Sequence, residues 1–218
     1  MKNINIGAGQ TYIPGFINID IDEKADITID LSVDKLPFET SSVDLVFTYH
    51  TLEHIPNYLF ALSEIHRVLR PGGILLVGVP YVSLTKYNLV NPYHLHNFNE
   101  HSFHFFDALK GSAVEKNPIL FKKVFHRCHY MRIFNLIPYP LNRVCRNHFF
   151  NVVRKIDFGL VAIKDDHDSI SIPKKKELKR LFKETANKRV PYVKIESKAD
   201  RSVFYRYLRD VYNWWNGY

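Results

Sequence analysis

Short apolar segments separated by turn residues recur along the first eighty positions of the chain. They are four to seven residues long and end near glycine, proline or acidic residues, as strands of a parallel sheet do. After the fourth segment, apolar residues recur at helical spacing until Pro71 and Gly72, which predicts an amphipathic helix over residues 57–69. The predicted strands cover residues 3–6, 16–21, 27–31, 43–49 and 74–79.

The pattern changes after residue 80, where histidine, asparagine and phenylalanine become frequent. A sixth strand is predicted over 119–129 and a last one over 158–164, with a helix interrupted at Pro138 and Pro140 between them. Strands alternating with helices predict a Rossmann-like, three-layer α/β sandwich with a mostly parallel sheet. We therefore expect one domain over 1–165, with an insertion or lid at 81–150, and a basic, aromatic, helical tail over 166–218.

Charge, cysteine content and the absence of long apolar runs limit the classes of protein to which the chain can belong. The 218 residues carry a net charge of +8, although residues 1–56 hold nine acidic residues against three lysines. The basic excess downstream favours an anionic partner, such as a phosphorylated carrier, nucleic acid or a membrane surface. The sequence shows no secretory leader and no apolar run of membrane-spanning length, and its two cysteines form no metal or redox motif. A cytoplasmic location is expected.

A glycine turn follows the first predicted strand. Gly7, Ala8 and Gly9 allow close approach of a ligand, and amides in such a turn can donate to an anion. Asp20 closes the next strand, where a carboxylate can accept both ribose hydroxyls of a nucleotide. Tyr12 stands where a dinucleotide fingerprint needs a third glycine, and the short spacing leaves little room for a helix. A simple structural turn is the alternative.

Several motifs in order carry a family resemblance. Together they resemble bacterial predicted S-adenosylmethionine (SAM)-dependent methyltransferases of the type 11 group, which are class I methyltransferases. The resemblance covers about a third of the chain and is faint beyond residue 110. The motifs are NIGAG at 5–9, GFINID at 15–20, Asp30-Leu31, LPFE at 36–39, SVDLV at 42–46, HTLEHI at 50–55, EIHRVLRPGG at 64–73 and PYHLHNF at 92–98.

The resemblance implies SAM as the cofactor and assigns residues to it. Gly7, Ala8 and Gly9 would line its methionine part and Asp20 its ribose. The remaining cofactor residues would be Asp30 and Leu31 at the adenine edge and Tyr49 and His50 near the methyl group. Because the chain begins at its first strand, a lid over SAM would come from 81–150 or from the tail.

Histidines are the candidate catalytic residues. His50 or His54, near the end of a strand, could remove the proton of an acceptor hydroxyl, and His94, on the PYHLHNF motif, is expected in the acceptor pocket. His54 is expected to pack locally, and Glu53 to pair with Arg67 at the surface. The spacing of His94, His96, Glu100, His101 and His104 fits no standard metal site, so no metal is predicted.

The predicted function is methyl transfer from SAM to a hydroxyl or amine of a small molecule, sugar or glycan. The alternatives are a nucleic-acid methyltransferase and a non-catalytic, Rossmann-like interaction module. The tail mixes lysine and arginine with aromatic rings over 174–180 and 205–218, which suits an anionic partner. A helix docked on the domain's own sheet, or on a second subunit in a homodimer, is the simpler interpretation of this tail.

Overall fold

The computed structural model describes residues 1–107, 119–164 and 170–192. Within them, one seven-stranded sheet has the order β4-β3-β1-β5-β6-β8-β7, and β2 pairs separately with β9. The strands are β1 (Asn3–Ile6), β2 (Thr11–Tyr12), β3 (Ile17–Asp20), β4 (Ile27–Thr28), β5 (Val43–Tyr49), β6 (Leu69–Pro80), β7 (Leu120–Tyr130), β8 (Val153–Ile163) and β9 (Val190–Pro191). The α-helices are α1 (Tyr58–Val68), α2 (Thr85–Asn88), α3 (Leu141–His148) and α4 (Lys175–Asn187), and 3₁₀ helices span Leu52–His54 and Arg132–Leu136.

The sheet is parallel from β4 to β6, whereas β8 runs antiparallel to both of its neighbours. The carboxyl ends of β1, β3, β4 and β5 therefore meet at one edge, where open α/β sheets bind their ligands. This architecture confirms the predicted Rossmann-like α/β fold. The predicted strands are present, although the third is limited to Ile27–Thr28, and β6 and β8 begin earlier than expected, at Leu69 and Val153.

Each face of the sheet has its own apolar core. On one face, α1 buries Leu62, Ile65 and Val68 completely against the strands, as its helical spacing predicts. On the other face, α4 buries Leu178 and Phe182 in a second cluster. The basic helix predicted in the tail is thus docked on the domain's own sheet through its apolar side, and residues 202–218 lie outside the described residues.

The connection between β1 and β3 contains no helix, as the short spacing predicts. It forms a loop whose β2 residues pair with β9, directly after α4. Tyr12 and Tyr192 lie with ring centroids 5.2 Å apart, and the Tyr192 amide donates to the Gln10 carbonyl at 3.1 Å. The segment that follows α4 therefore reaches the edge of the sheet where β1 ends.

Residues of the predicted 81–150 insertion contribute both loops and sheet. β7 forms the outermost strand beside β8, while residues 81–107 pass over the carboxyl end of β6. The chain then turns through the second 3₁₀ helix and α3, which Pro138 and Pro140 separate as predicted. The division into a methyltransferase domain, an insertion and a tail stays a prediction. No described helix is long and apolar enough to cross a membrane.

Candidate functional site

The glycine turn, Gly7–Gly9, lies at the carboxyl end of β1. Its amides are committed to the neighbouring strand: Gly7 and Ala8 donate to the Ile19 carbonyl at 2.8 and 3.1 Å. The Gly9 amide donates to Asp20 Oδ2 at 2.8 Å. The expectation that this turn offers amides to an anion is thus not met, because the strand and the carboxylate already occupy these donors.

The two glycines of the turn serve different purposes. Gly7 has φ of +72°, and a Cβ there would lie 1.9 Å from Thr51 Oγ1, so this position requires glycine for packing. Gly9 has φ of +56°, and a Cβ there would meet nothing within 4 Å. The open side of the turn is therefore at Gly9, next to the Asp20 carboxylate.

Asp20, Asp30 and Leu31 follow β3 and β4 at the same edge. Asp20 Oδ1 accepts from the Asp22 amide at 3.0 Å, and Asp30 Oδ1 accepts from the Ser32 amide at 2.8 Å. Both carboxylates are partly exposed, whereas Leu31 is buried. These backbone bonds fix the two carboxylates in position while each keeps further lone pairs for a ligand.

A cavity of about 410 Å³ opens beside this turn, at the ends of β5 and β6. Its size falls in the range of small-molecule sites. We call it the histidine cavity; its lining residues are Tyr49, His50, Glu53, His54, Pro80, Leu84, His94, Arg154 and Lys155.

His50 is held in a conformation that non-glycine residues rarely adopt. Its φ is +56°, and its amide donates to the Gly78 carbonyl at 2.8 Å. Its Nδ1 lies 3.2 Å from Oε1 of Glu53, and its ring meets the edge of Tyr49 at 4.6 Å. Backbone strain of this kind is concentrated at functional sites.

Glu53 is the most buried ionisable group of the cavity, with 1% of its surface exposed. The expected surface pair with Arg67 is wrong, because Arg67 donates to Glu64 through Nε and Nη2, at 2.8 and 2.7 Å. Arg67 also reaches carbonyls of the loop before β5, away from the cavity. Glu53 instead orients His50 from the 3₁₀ helix that follows β5.

His94 reaches the cavity from a loop that is tied to Glu53. The Glu53 carbonyl accepts from the amides of Leu95 and His96 at 2.8 and 3.1 Å. The rings of His54 and His94 lie 4.6 Å apart, edge to face. Burial lowers the pKa of His94, and the neighbouring His54 adds to this effect, which favours a neutral imidazole.

Cations cover the ring of Tyr49. Lys155 Nζ lies 4.7 Å from its centroid, and Arg189 Cζ lies 4.4 Å from it. Arg189 belongs to the short segment between α4 and β9, and its Nε and Nη2 donate to Thr11 Oγ1 at 3.1 and 3.0 Å. The segment after α4 thus connects Tyr49 with the loop that follows the glycine turn.

The predicted site residues therefore fall into two neighbouring groups. Tyr49, His50 and His94 share the histidine cavity, whereas the glycine turn, Asp20, Asp30 and Leu31 lie beside it at the same edge and do not line it. The other predicted histidines lie apart: His96 bonds to the Ile55 carbonyl, and His101 pairs with His104. Sequence reasoning missed Glu53, Arg154, Lys155 and Arg189. Of these, only Glu53 had a signal, three positions after His50.

Comparison with known proteins shows what the part of the chain that holds much of this site resembles. Residues 16–77 match the family model of a methyltransferase domain. A probable SAM-dependent methyltransferase of Mycolicibacterium smegmatis is 37% identical over 68 residues, 30% of this chain and 26% of that protein. A sterol 4-C-methyltransferase of Caenorhabditis elegans is 37% identical over 62 residues, 28% of this chain and 18% of that protein. A demethylmenaquinone methyltransferase of Staphylococcus epidermidis is 49% identical over 41 residues, 19% of this chain and 17% of that protein.

Solved structures agree on the fold. A SAM-dependent methyltransferase from Archaeoglobus fulgidus superposes with a TM-score of 0.51, at 15% identity over 73% of this chain and 85% of its own. The YcgJ protein of Bacillus subtilis gives 0.50, at 12% identity over 75% and 92%. The resemblance to class I methyltransferases of the type 11 group is confirmed, and SAM is the cofactor that the family match implies. The chain aligns with only about a quarter or less of the length of the curated relatives.

Proposed function

We propose that this chain transfers a methyl group from SAM to a hydroxyl or amine of a small molecule, sugar or glycan. One observation carries the proposal: a cavity that holds a carboxylate-oriented histidine opens at the carboxyl ends of β5 and β6. β5 and most of β6 lie within the residues that match a methyltransferase domain. The relatives named above methylate different classes of acceptor, so the acceptor is argued from the cavity.

The residues at the carboxyl ends of β1 and β3 fit SAM better than a dinucleotide. SAM carries ribose hydroxyls but no phosphate, and the amides that would hold a pyrophosphate are already bonded to Ile19 and Asp20. Asp20 retains lone pairs for two hydroxyls, and the space beside Gly9 is open. We assign the ribose to Asp20, the methionine part to the glycine turn and the adenine edge to Asp30 and Leu31.

When bound, SAM supplies a methyl group on a sulfonium centre, so the protein's task is mainly to align the acceptor and receive a proton. His50 is suited to the second task. Glu53 Oε1 accepts from Nδ1 of the neutral ring, which leaves Nε2 as the basic nitrogen. His50 is the proposed general base, and His94, on the opposite loop, binds or orients the acceptor.

The charge around the cavity favours an anionic acceptor. Arg154 and Lys155 come from the first residues of β8 and line the cavity wall. Lys155 is paired with Asp157 at 3.0 Å, whereas Arg154 is exposed at the mouth. A guanidinium there can bind a carboxylate or phosphate in bidentate fashion. We therefore infer an acceptor that carries a hydroxyl or amine near a negative group.

The outer side of α4 favours a second candidate, methylation of nucleic acid. α4 buries its apolar side, and the opposite side exposes Lys175, Lys176, Arg180 and Lys183. A basic face of this kind could also hold a phosphorylated carrier or a membrane surface. A shift assay with RNA and DNA, whose affinity falls steeply with salt, would favour the nucleic-acid function. Homodimer formation and a cytoplasmic location remain predictions.

The first test is calorimetric titration of the purified protein with SAM and S-adenosylhomocysteine, with NAD as the comparison ligand. We expect micromolar binding of the first two and none of NAD. Asp20→Ala should weaken the binding of SAM by about 1–3 kcal/mol, or about 5–150-fold, because the ribose hydroxyls lose their acceptor. Asp44→Ala is the matched control, since Asp44 pairs with Arg70 near the start of β5, away from the site. No binding of either adenosyl compound would instead favour a non-catalytic module.

A further inference from the structure

Glu53 carries an unsatisfied buried oxygen. Its Oε1 faces His50, but Oε2 is fully enclosed and has no hydrogen-bond partner among the residues that the structure describes. Leaving a carboxylate oxygen buried without a partner costs several kcal/mol, so such a group is normally paired with a cation or a donor. Among the described residues, the side chains that could share a metal ion with the Glu53 carboxylate are His54 and His94.

The three side chains converge. One ligand atom each of Glu53, His54 and His94 lies within 4.8 Å of the other two. Around a tetrahedral ion with bonds of about 2.0–2.1 Å, ligand atoms lie about 3.4 Å apart, so closure by about 1.4 Å or less is required. Rotations of partly exposed histidine rings can supply that movement.

The Nδ1 atoms of both histidines are hydrogen-bonded as in metal-binding histidines. His54 Nδ1 lies 2.9 Å from the Tyr93 carbonyl, and His94 Nδ1 lies 3.2 Å from Asn88 Oδ1. Asn88 Nδ2 donates to two carbonyls, at 2.8 and 3.0 Å, which identifies its other atom as the acceptor oxygen. Both Nδ1 atoms must therefore donate, and each neutral ring keeps the lone pair of Nε2. Metal-binding histidines show the same arrangement, with the second ring nitrogen donating to a carbonyl or carboxylate.

We propose that Glu53, His54 and His94 bind a divalent transition-metal ion of the zinc type. Two imidazole nitrogens and one carboxylate oxygen form a known ligand set for zinc, in which the remaining position is open. Here the open position would face the histidine cavity. The sequence-based expectation of no metal considered the later histidines, whose spacing fits no site. It did not combine Glu53 and His54 with His94, because the loop that brings them together is not visible in the sequence.

The ion would act on the acceptor, a role that rests on the proposed function. An acceptor hydroxyl bound in the open position becomes more acidic, as metal-bound water does. Its proton passes to His50, its oxygen forms the bond to the methyl carbon, and the carbon–sulfur bond breaks to leave a neutral thioether. Glu53 joins both parts, since one of its oxygens would bind the ion and the other orients His50.

The test is Co²⁺ binding to chelator-stripped wild-type protein, followed by visible absorption, with Zn²⁺ as the competitor. We expect one equivalent of Co²⁺, with a spectrum typical of four or five ligands that include nitrogen, and displacement by Zn²⁺. His54→Asn and His94→Asn should each weaken binding at least about 100-fold, and Asn88→Ala, which removes the partner of His94, about 10–100-fold. His101→Asn is the matched control, because His101 is an exposed histidine of the same segment.

Absence of Co²⁺ binding by the wild type would overturn the metal site, whatever the variants do. So would binding that survives in His54→Asn and His94→Asn but is lost in His101→Asn. SAM titrated into the stripped protein separates this inference from the proposed function. If the protein binds SAM but no metal, only the metal site is overturned. If it binds metal but not SAM, the metal site stands and the proposed methyl transfer is overturned.

Discussion

The glycine turn and the histidine cavity lie at the same edge of the sheet, but the chain builds them differently. The turn and its partner Asp20 come from one short stretch of sequence, and backbone amides hold them together. The cavity gathers side chains from three separate stretches, around residues 49–54, 80–94 and 154–155. One region is thus defined by backbone geometry and the other by side chains that converge.

This difference predicts how each region responds to change. A backbone-defined turn tolerates little at positions with positive φ, because an L side chain strains that conformation and, at Gly7, an added Cβ would also collide with Thr51. A cavity lined by side chains can lose one of them and keep its shape, while its chemistry changes. Substitutions in the turn should therefore be seen first in stability and cofactor affinity, and those in the cavity in turnover.

The largest effect is expected from Gly7→Ala. The new Cβ would collide with Thr51 in a left-handed conformation, so the free energy of unfolding should fall by about 2–5 kcal/mol. Gly9→Ala meets no neighbouring atom and should lose only about 1–2 kcal/mol, from its conformation. Urea unfolding of the two variants measures the difference. Equal losses would mean that Thr51 moves aside without cost and that the turn is less rigid than described.

The next effect concerns the cavity. His50→Asn keeps a residue that tolerates positive φ but removes the proposed base, so turnover should fall at least about 100-fold and SAM affinity much less. Release of S-adenosylhomocysteine, with an acceptor identified by screening anionic hydroxyl and amine compounds, measures this, and His101→Asn is again the control.

Full turnover in His50→Asn would show that the acceptor loses its proton to another group or to water. A parallel loss of SAM affinity would mean that His50 belongs to the cofactor region rather than to the cavity. Either outcome would mean that the cofactor region and the histidine cavity do not have separate roles at His50, the residue where they meet.

Much of the fold could be predicted because its signals are local. Apolar segments such as residues 43–49 became strands with the predicted bounds, and the short stretch between Gly9 and Asp20, which left little room for a helix, is a loop without one. The docking of α4 on the sheet was the simpler of the interpretations considered. Its packing against β5, where Phe182 contacts Phe47, was not predictable, since that contact joins residues far apart in sequence.

The site was predictable only where neighbours in sequence are neighbours in space. The glycine turn and Asp20 were singled out from the sequence, and a hydrogen bond joins them at the ends of adjacent strands. The contact of Glu53 with His50, three positions earlier, was missed. Arg154 and Lys155 were missed because they precede the strand predicted over 158–164. Since β8 runs antiparallel to β6, its first residues lie at the carboxyl end of β6. The expected pair of Glu53 with Arg67 was wrong because charge complementarity alone does not show which edge of the sheet a residue occupies.

The smallest effect tests the residue that connects the two regions. Arg189 lies over the ring of Tyr49 and donates to Thr11, so it joins the cavity wall to the loop that follows the glycine turn. Arg189→Ala should weaken the binding of SAM about 3–10-fold, about 0.7–1.4 kcal/mol, because the loop loses its hydrogen bonds to a guanidinium that is held over the Tyr49 ring. Calorimetry measures this, with the exposed neighbour Lys188→Ala as the control.

Results other than the one expected for Arg189→Ala would also show what the residue does. If SAM affinity is unchanged while the acceptor KM rises, Arg189 supports only the histidine cavity, and the segment after α4 belongs to acceptor binding. If both constants change together, the loop and the cavity wall move as one unit, since the same guanidinium contacts both. The two regions would then be separate in sequence and construction but coupled through a residue that lies after both of them in the chain.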